Sequence, residues 1–562
     1  MPPTKPIPTL HIRQPSGMPA FLTVWSGQLV SLVGTAMANF ALAIYIWQLT
    51  GQATSFALLG FFGALPNILF APFAGALVDR WNRKLTMMIS DIAGLVVNSA
   101  MLALLIWGHL EMWHLYALAI FNGIFMAFQW PAYSAAISTM LEKKHFARAS
   151  ALLSVADSAS GILAPMIAAI LVVTIGIPGI ILLDAVSFVL AIITLLAVKI
   201  PQPPKTELTK EASGNLLKEA LFGFRYIFRS PSLLGLQLTF FFGNLLATFG
   251  FIVSTPMILA RTANNASILG LVQSVGGIGG VLGGLLISIW GGPKRRIRGV
   301  IGGWFLTFAG MALLGFSQGV VLWAAAMFCV GFFLPLVNSS NQAIWQSKIP
   351  PEIQGKVFSV RRLIAQLSSP LSMLLAGPLA DYFFEPGMLP GGVLAVIAGP
   401  FLGTGAGAGM SLMIFMMGLL GALVAFITYS IPSIRNVETI VPDFVLPPAE
   451  EATPPSPPEK TPPGTEPSPS LPLTPLPPAV EPAPLLSSRQ LLSEAATLAG
   501  RGQTKSAISL LRQCIASRET DQATRQVASW KLASLLYLIG KDRLADQILL
   551  HYREEGSIHG PR

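Results

Sequence analysis

Charge is scarce in this chain: of 562 residues only 11% are Asp, Glu, Lys or Arg, while 53% are hydrophobic and mean hydropathy is +0.64. A soluble domain of that length needs a far more polar surface, so the composition implies an integral membrane protein and not an enzyme in solution. Cysteine is nearly absent, and Cys329 and Cys514 lie too far apart to supply a disulfide framework or a four-ligand metal site. A phosphate-binding loop is missing too, because GRGQTKS from Gly500 lacks the glycine required before Lys505. No ATPase and no cofactor is implied. Basic residues are missing from alternate intervals between the apolar runs. From Leu32 to Pro432 only Arg261 falls on one side, against twenty Lys and Arg on the other. That bias marks the rich side as cytoplasmic. The net charge of +10 is spread in short clusters without an interleaved aromatic platform, which suits anionic lipid headgroups and excludes nucleic acid as the partner.

What is present is a series of apolar runs. A hydrocarbon core about 30 Å thick takes about twenty residues of helix, and only helices satisfy their own backbone groups in lipid. The pattern predicts spans at 21–47, 56–78, 85–107, 115–139, 149–174, 180–198, 233–259, 268–290, 300–316, 320–344, 360–383 and 410–430. The expected fold class is an all-α integral membrane protein: twelve transmembrane helices in two pseudo-symmetric six-helix halves, plus a small soluble helical C-terminal domain. A weak repeat supports the halves, since Gly75 and Gly284 lie 209 residues apart and Glu142 and Glu352 lie 210 apart in equivalent places. Two such halves imply a substrate path between them.

The expected organisation is a cytoplasmic tail at 1–20, without a cleavage site for a signal peptide, then half-molecules at 21–198 and 233–431. The linker at 199–232 is cytoplasmic, and its later part, LLKEALFGFRYIFRS from Leu216, is amphipathic and suited to the membrane surface. From Asp381 to Gly409 the chain is Gly- and Pro-rich and almost uncharged, as an external loop resting on or dipping into the membrane would be. Residues 442–484 hold 17 prolines in 43 residues and form a linker without a packed core. Residues 485–555 return to soluble helical patterning, with Gly502 to Ala507 and Gly540 to Ala545 at one spacing. This resembles tetratricopeptide repeats, although a plain pair of helical hairpins fits as well. A protein partner for that domain is one possibility.

At the cytoplasmic end of span 2 stands GALVDRWNRK, Gly75 to Lys84. It resembles the loop signature of the major facilitator superfamily, G-x-L-x-D-R-x-G-R-K, through Gly75, Leu77, Asp79, Arg80, Arg83 and Lys84, with Asn82 in place of the second glycine. Asparagine tolerates left-handed backbone, so the turn is expected to survive. The resemblance implies that Asp79 docks near the start of span 11 as a latch on the cytoplasmic face, with the dipole and Arg361 and Arg362 favouring its charge. The alternative is that Arg80, Arg83 and Lys84 are topology anchors only. The stretch from Phe128 to Ala169, with Gly161, Ala164-Pro165 and Ala168-Ala169, is similar to the efflux branch that contains macrolide and enterobactin exporters. That resemblance covers about residues 20–431.

Three aspartates fall inside spans, where a charge costs about 2.5–3.5 kcal/mol on insertion scales unless it faces water or a partner. Asp157 and Asp91 lie about two turns into spans 5 and 3, with no Lys, Arg or His in the apolar body of any span to neutralise them. Protonation would remove the charge, so Asp157 is the first candidate for proton coupling and Asp91 the second. A structural carboxylate bonded to nearby Ser or backbone is the alternative for each. Asp184, near the outer end of span 6, reads as interfacial.

Helical spacing puts Thr35 and Asn39, Asn122, Met126 and Gln129, Asn244 and Thr248, and Asn338, Asn341 and Gln342 on single stripes of spans 1, 4, 7 and 10. The superfamily resemblance places these four spans around a central cavity. Uncharged polar groups among Phe125, Phe241, Phe332 and Trp345 suit a bulky, mostly apolar small-molecule substrate. Gly276, Gly280 and Gly284 in span 8, with Gly279 and Gly283 beside them, serve close helix packing. The combined expectation is a secondary active transporter of the cytoplasmic (inner) membrane, both termini cytoplasmic, exporting lipophilic compounds or siderophores by alternating access with proton antiport. A metabolite uptake permease, a lipid flippase and a membrane-anchored interaction protein acting through its tail are the competing readings.

Overall fold

A computed structural model of the chain describes residues 17–78, 81–201, 216–444, 488–500, 504–516 and 522–538. Asp79, Arg80, the tail at 1–16 and nearly all of the proline-rich stretch lie outside the described residues. Twelve of the described helices are long and apolar enough to cross a membrane. They are α1 (Met18–Thr50), α2 (Ala53–Val78), α3 (Arg83–Ile106), α4 (Met112–Met140), α5 (Phe146–Thr174) and α6 (Gly176–Ala197), then, after α7 (Leu216–Arg229), α8 (Pro231–Arg261), α9 (Ala266–Trp290), α10 (Arg296–Phe316), α11 (Val320–Lys348), α12 (Pro351–Leu379) and, beyond two short helices, the last span Ala408–Ser430. The helices overrun the predicted spans where polar ends project past the hydrocarbon, most of all at α12, which begins at Pro351 and not at 360.

Packing repeats between the halves. In the first, α1 lies against α5 and α6, α3 against α4 and α6, and α2 against α4. In the second, α8 packs on α12 and the last span, α10 on α11 and the last span, and α9 on α11, which is the same scheme shifted by six spans. The halves meet through α2 against α12 and α5 against α9, a pair of contacts that the pseudo-two-fold exchanges. Glycines permit the closest approaches: a Cβ on Gly279 or Gly283 of α9 would overlap the backbone of Phe328 or Phe332 of α11.

The interhelix turns are tied by caps. Asn82 adopts extended backbone (φ −70°, ψ 113°), not the left-handed form the motif suggested, and its side chain accepts the Leu85 N–H to start α3. Arg83 donates to Ala135 O of α4 at 2.7 Å and Lys84 to Val198 O beyond α6 at 2.7 Å, so both basic residues fasten α3 to neighbouring helix ends. The amphipathic α7 packs part of its apolar face on α12: Gly223 sits against Lys356 O and Val360 and Ile227 is fully buried, while Phe228 is exposed.

At the opposite face α12 runs through a π-helical turn, Ala380–Phe384, into α13 (Glu385–Met388), and the Gly/Pro-rich loop that follows contains α14 (Val393–Leu402). Val393, Val396, Ile397 and Phe401 of α14 are exposed. Arg261, the lone basic residue of this face, holds the loop by donating to Leu402 O and Gly407 O. Glu385 accepts the Gly407 and Met410 amides at the start of α15 (Ala408–Ser430).

After α15 the chain forms a strap, α16 (Pro432–Arg435) and α17 (Val437–Ile440), across the basic ends of the second half. Lys348, 3% exposed, donates to Glu438 O at 2.6 Å and pairs with Asp443 at 2.8 Å, while Phe444 N donates to Ser347 O. The hydrogen bond from Lys348 holds the Asp443 carboxyl below its ordinary range, so this contribution is complete at neutral pH and fades as pH falls through that lowered value. Asp443→Asn should therefore cost about 1 kcal/mol at pH 7, discounted because the aspartate is largely exposed, and the gap to wild type should close toward acid pH. Thermal unfolding of the full chain in detergent at several pH values measures it.

The second compact unit begins at Val445. Its described part is three helices, α18 (Ser488–Gly500), α19 (Thr504–Ala516) and α20 (Gln522–Leu538), closed around Leu491, Leu511, Cys514, Leu532 and Leu536. Gly502, Gly540 and Ala545 lie outside the described residues.

Candidate functional site

The first half buries two carboxylates at the junction of its helices. Asp91 of α3 is 1% exposed and accepts Gln28 Nε2 of α1 and Gln129 Nε2 of α4, each at 3.0 Å, and the two glutamines are joined at 2.9 Å. Gln129 Oε1 is buried with no hydrogen-bond partner. The cluster is thus one donor short, and a protonated Asp91 carboxyl would supply a donor where the ionised form only accepts. Asp184 of α6 is also 1% exposed and accepts Thr35, Asn98 and Ser187 at 2.8–3.1 Å. It is a core residue and not an interfacial one, because it lies on the same helical face as Ile180, Ile181, Ser187 and Phe188, which packs inward. Thr35 is turned to Asp184 accordingly.

Asp157 is placed differently. It is exposed on α5 and forms no hydrogen bond or ion pair among the described residues. In the second half Arg361, the eleventh residue of α12, is a half-buried guanidinium, which corrects the expectation that no cation enters the body of a span. It donates to Gln342 Oε1 at 3.0 Å and lies 5.4 Å from the Trp345 ring and 5.6 Å from Phe358. Gln342 is therefore committed to an internal contact, and Asn341 is buried with Oδ1 unbonded. The remaining amides are Asn39 and Asn338, exposed, and Asn122 and Asn244, half-buried, none bonded within the described residues. Phe125, Phe241 and Phe332 are half-buried beside them on α4, α8 and α11. A lining of this kind offers apolar surface with a few amides to orient a solute.

The hydrogen bonds between the halves lie from mid-helix to the face opposite the basic residues. Asp381, in the π turn after α12, accepts Ala53 N at 3.0 Å and Thr54 N at 2.7 Å, capping α2 of the other half. A Cβ on Gly377 would overlap Thr54 at the same place. Along the second seam Ser274 of α9 donates to Ile162 O of α5 at 2.9 Å, and Gly270 and Gly277 stand against Pro165 O and Gly161 O. Toward the basic face no atom comes within 4 Å of a Cβ placed on Gly284 of α9, and Phe73 and Val155 are exposed on α2 and α5.

Residues 24–373, well over half of the chain, match the Major Facilitator Superfamily. The chain belongs to that superfamily. It is similar to Macrolide efflux protein A of Streptococcus pyogenes, 26% identical over 369 residues that cover 64% of this chain and 89% of the relative. It is also similar to Multidrug efflux pump Tap of Mycolicibacterium fortuitum, 24% identical over 374 residues, 64% of this chain and 89% of that one. Among solved structures, a bacterial homolog of the human lysosomal transporter Spinster, inward-facing and unoccupied, shares the fold with a TM-score of 0.55 at 15% identity, covering 73% of this chain and 96% of that one. The chain is a multi-pass membrane transporter of the facilitator type with efflux-named relatives.

Within this facilitator the signature segment divides. Gly75 lies in the last turn of α2, Arg83 and Lys84 bind helix ends as described, and Asp79 and Arg80 lie outside the described residues. Sequence reasoning missed Gln28, Asp381 and the depth of Arg361. Gln28 directly follows Gly27 in an apolar run, and a polar residue so placed is a signal for an interhelix bond.

Proposed function

We propose that this facilitator exports small, lipophilic, uncharged or weakly cationic solutes by alternating access, driven by proton entry. The observation that carries the reading is the pattern of seams: the halves are joined from mid-helix to the face poor in Lys and Arg and part toward the face rich in them. With the rich face cytoplasmic, as the charge bias implies, this is a state that loads solute from the cell interior. The efflux names of the relatives agree with that direction. The partly buried asparagines Asn122 and Asn244, with Asn39, Asn338 and the neighbouring phenylalanines, would receive the solute. Asp91 is the favoured proton carrier, since its cluster lacks one donor, and Asp157, exposed and unpaired, is the second candidate. Asp79 would clasp the cytoplasmic end of α12 in the opposite state, and the halves would rock about the site.

The test uses inverted membrane vesicles containing the full chain. Acidifying their interior should drive uptake of a lipophilic cationic dye or a macrolide, and an uncoupler should abolish it. Accumulation that ignores the proton gradient would remove antiport, and accumulation by right-side-out vesicles only would reverse the direction. The three-helix unit after Val445 has an apolar core of its own, which supports a partner-binding role beside transport. Deleting residues 485–562 should then leave vesicle transport unchanged.

A further inference from the structure

On the basic face of the second half a cavity of about 270 Å³ opens between the start of α10 and the end of α15, lined by Arg295, Arg298, Tyr429, Arg435 and Asn436, with Ile297 and Ile301 beneath. We propose that it binds the headgroup of an anionic phospholipid, with phosphate between the three arginines. The charges converge from remote parts of the chain: Arg295 precedes α10, Arg298 lies in its first turn, and Arg435 ends α16. None of the three guanidinium groups makes a hydrogen bond or ion pair within the described residues, although Arg435 lies 5.3 Å from the Tyr429 ring.

The neighbouring charges are already committed. Arg296 donates to Gly291 O, Lys348 pairs with Asp443, and both Glu438 oxygens accept the Arg296 and Ile297 amides at 3.0 Å. The acid of this ledge is thus occupied by backbone while three forked cations face one cavity, a donor set that matches phosphate oxygens. What selects a lipid over a free anion is the flank. One turn deeper, Phe305 on the face of Ile301 is 49% exposed and Phe426 on the face of Tyr429 is 63% exposed, so acyl chains can continue from a headgroup held at the arginines.

Native mass spectrometry of the full chain released from micelles containing phosphatidylglycerol and phosphatidylcholine tests this. Wild type should retain phosphatidylglycerol in preference by about ten-fold or more. Each of R295Q, R298Q and R435Q should lower that preference about five-fold, and the triple variant should erase it. The single variants change surface positions, so they report even where the triple variant fails to fold. A wild type without preference, or single variants that all keep it, would overturn the proposal. Inorganic phosphate added at equal concentration should not displace the lipid; full displacement would make this a phosphate site and sink the lipid assignment.

Discussion

Asp381→Ala should open the outer face of the molecule. The side chain accepts two amides at the start of α2 from across the boundary between halves, and removing a cap of this kind costs about 1–2 kcal/mol. If the lost free energy falls only on the state in which the contact exists, the equilibrium moves toward the opposite state by about five- to thirty-fold. Spin labels at Gln52 and Leu389, both exposed near the junction, should report longer distances in the variant by pulsed resonance. Asp381→Asn, which keeps one acceptor oxygen, should fall between the two. Unchanged distances in both variants would make Asp381 a cap for α2 alone, without a part in switching.

Asp91→Asn should abolish uphill transport while leaving the fold and downhill exchange intact. Asparagine has the shape of the protonated acid: its Oδ1 keeps the Gln28 donor, and its Nδ2 donates to Gln129 Oε1 once that amide turns over, in exchange for the present Gln129 Nε2 bonds. A variant fixed in this form can neither take up nor release a proton at this place. Asp91→Leu is a different case, because it strands both glutamine amides at a cost of about 1–3 kcal/mol each and should lower the melting temperature. Vesicle accumulation, counterflow of preloaded solute and thermal unfolding separate these outcomes. Full accumulation by Asp91→Asn would pass the role to Asp157, whose own asparagine variant is the matching experiment.

The spans and the division into halves were legible because each depends on hydropathy read along the chain. The facilitator signature was legible as well, though Asn82 proved to be a helix cap and not a left-handed turn residue. Asp184 was misread because depth was judged by distance along α6, whereas burial is decided by which face of the helix a residue occupies. Arg361 was counted with a loop because the polar run from Pro350 hides a continuous helix that carries it into the span. Asp381 escaped notice for a topological reason: its partners, Ala53 and Thr54, stand more than 300 residues earlier, and nothing in either local pattern encodes the pairing. Of the polar stripes, Thr35, Gln129 and Gln342 are drawn into internal bonds that spacing alone cannot reveal.

Where α5 meets α9, the helices touch through backbone and short side chains, with Gly270 against Pro165 O and Ala169 and Gly277 against Gly161 O and Ile162. Surfaces joined by side chains this short can part and rejoin with little rotamer change, so this boundary behaves as a plain bearing, with little friction to slow each cycle. Turnover then depends on the catches at the rim and hardly at all on the hinge, and a single bulky residue at Gly277 would act as grit in an otherwise smooth joint.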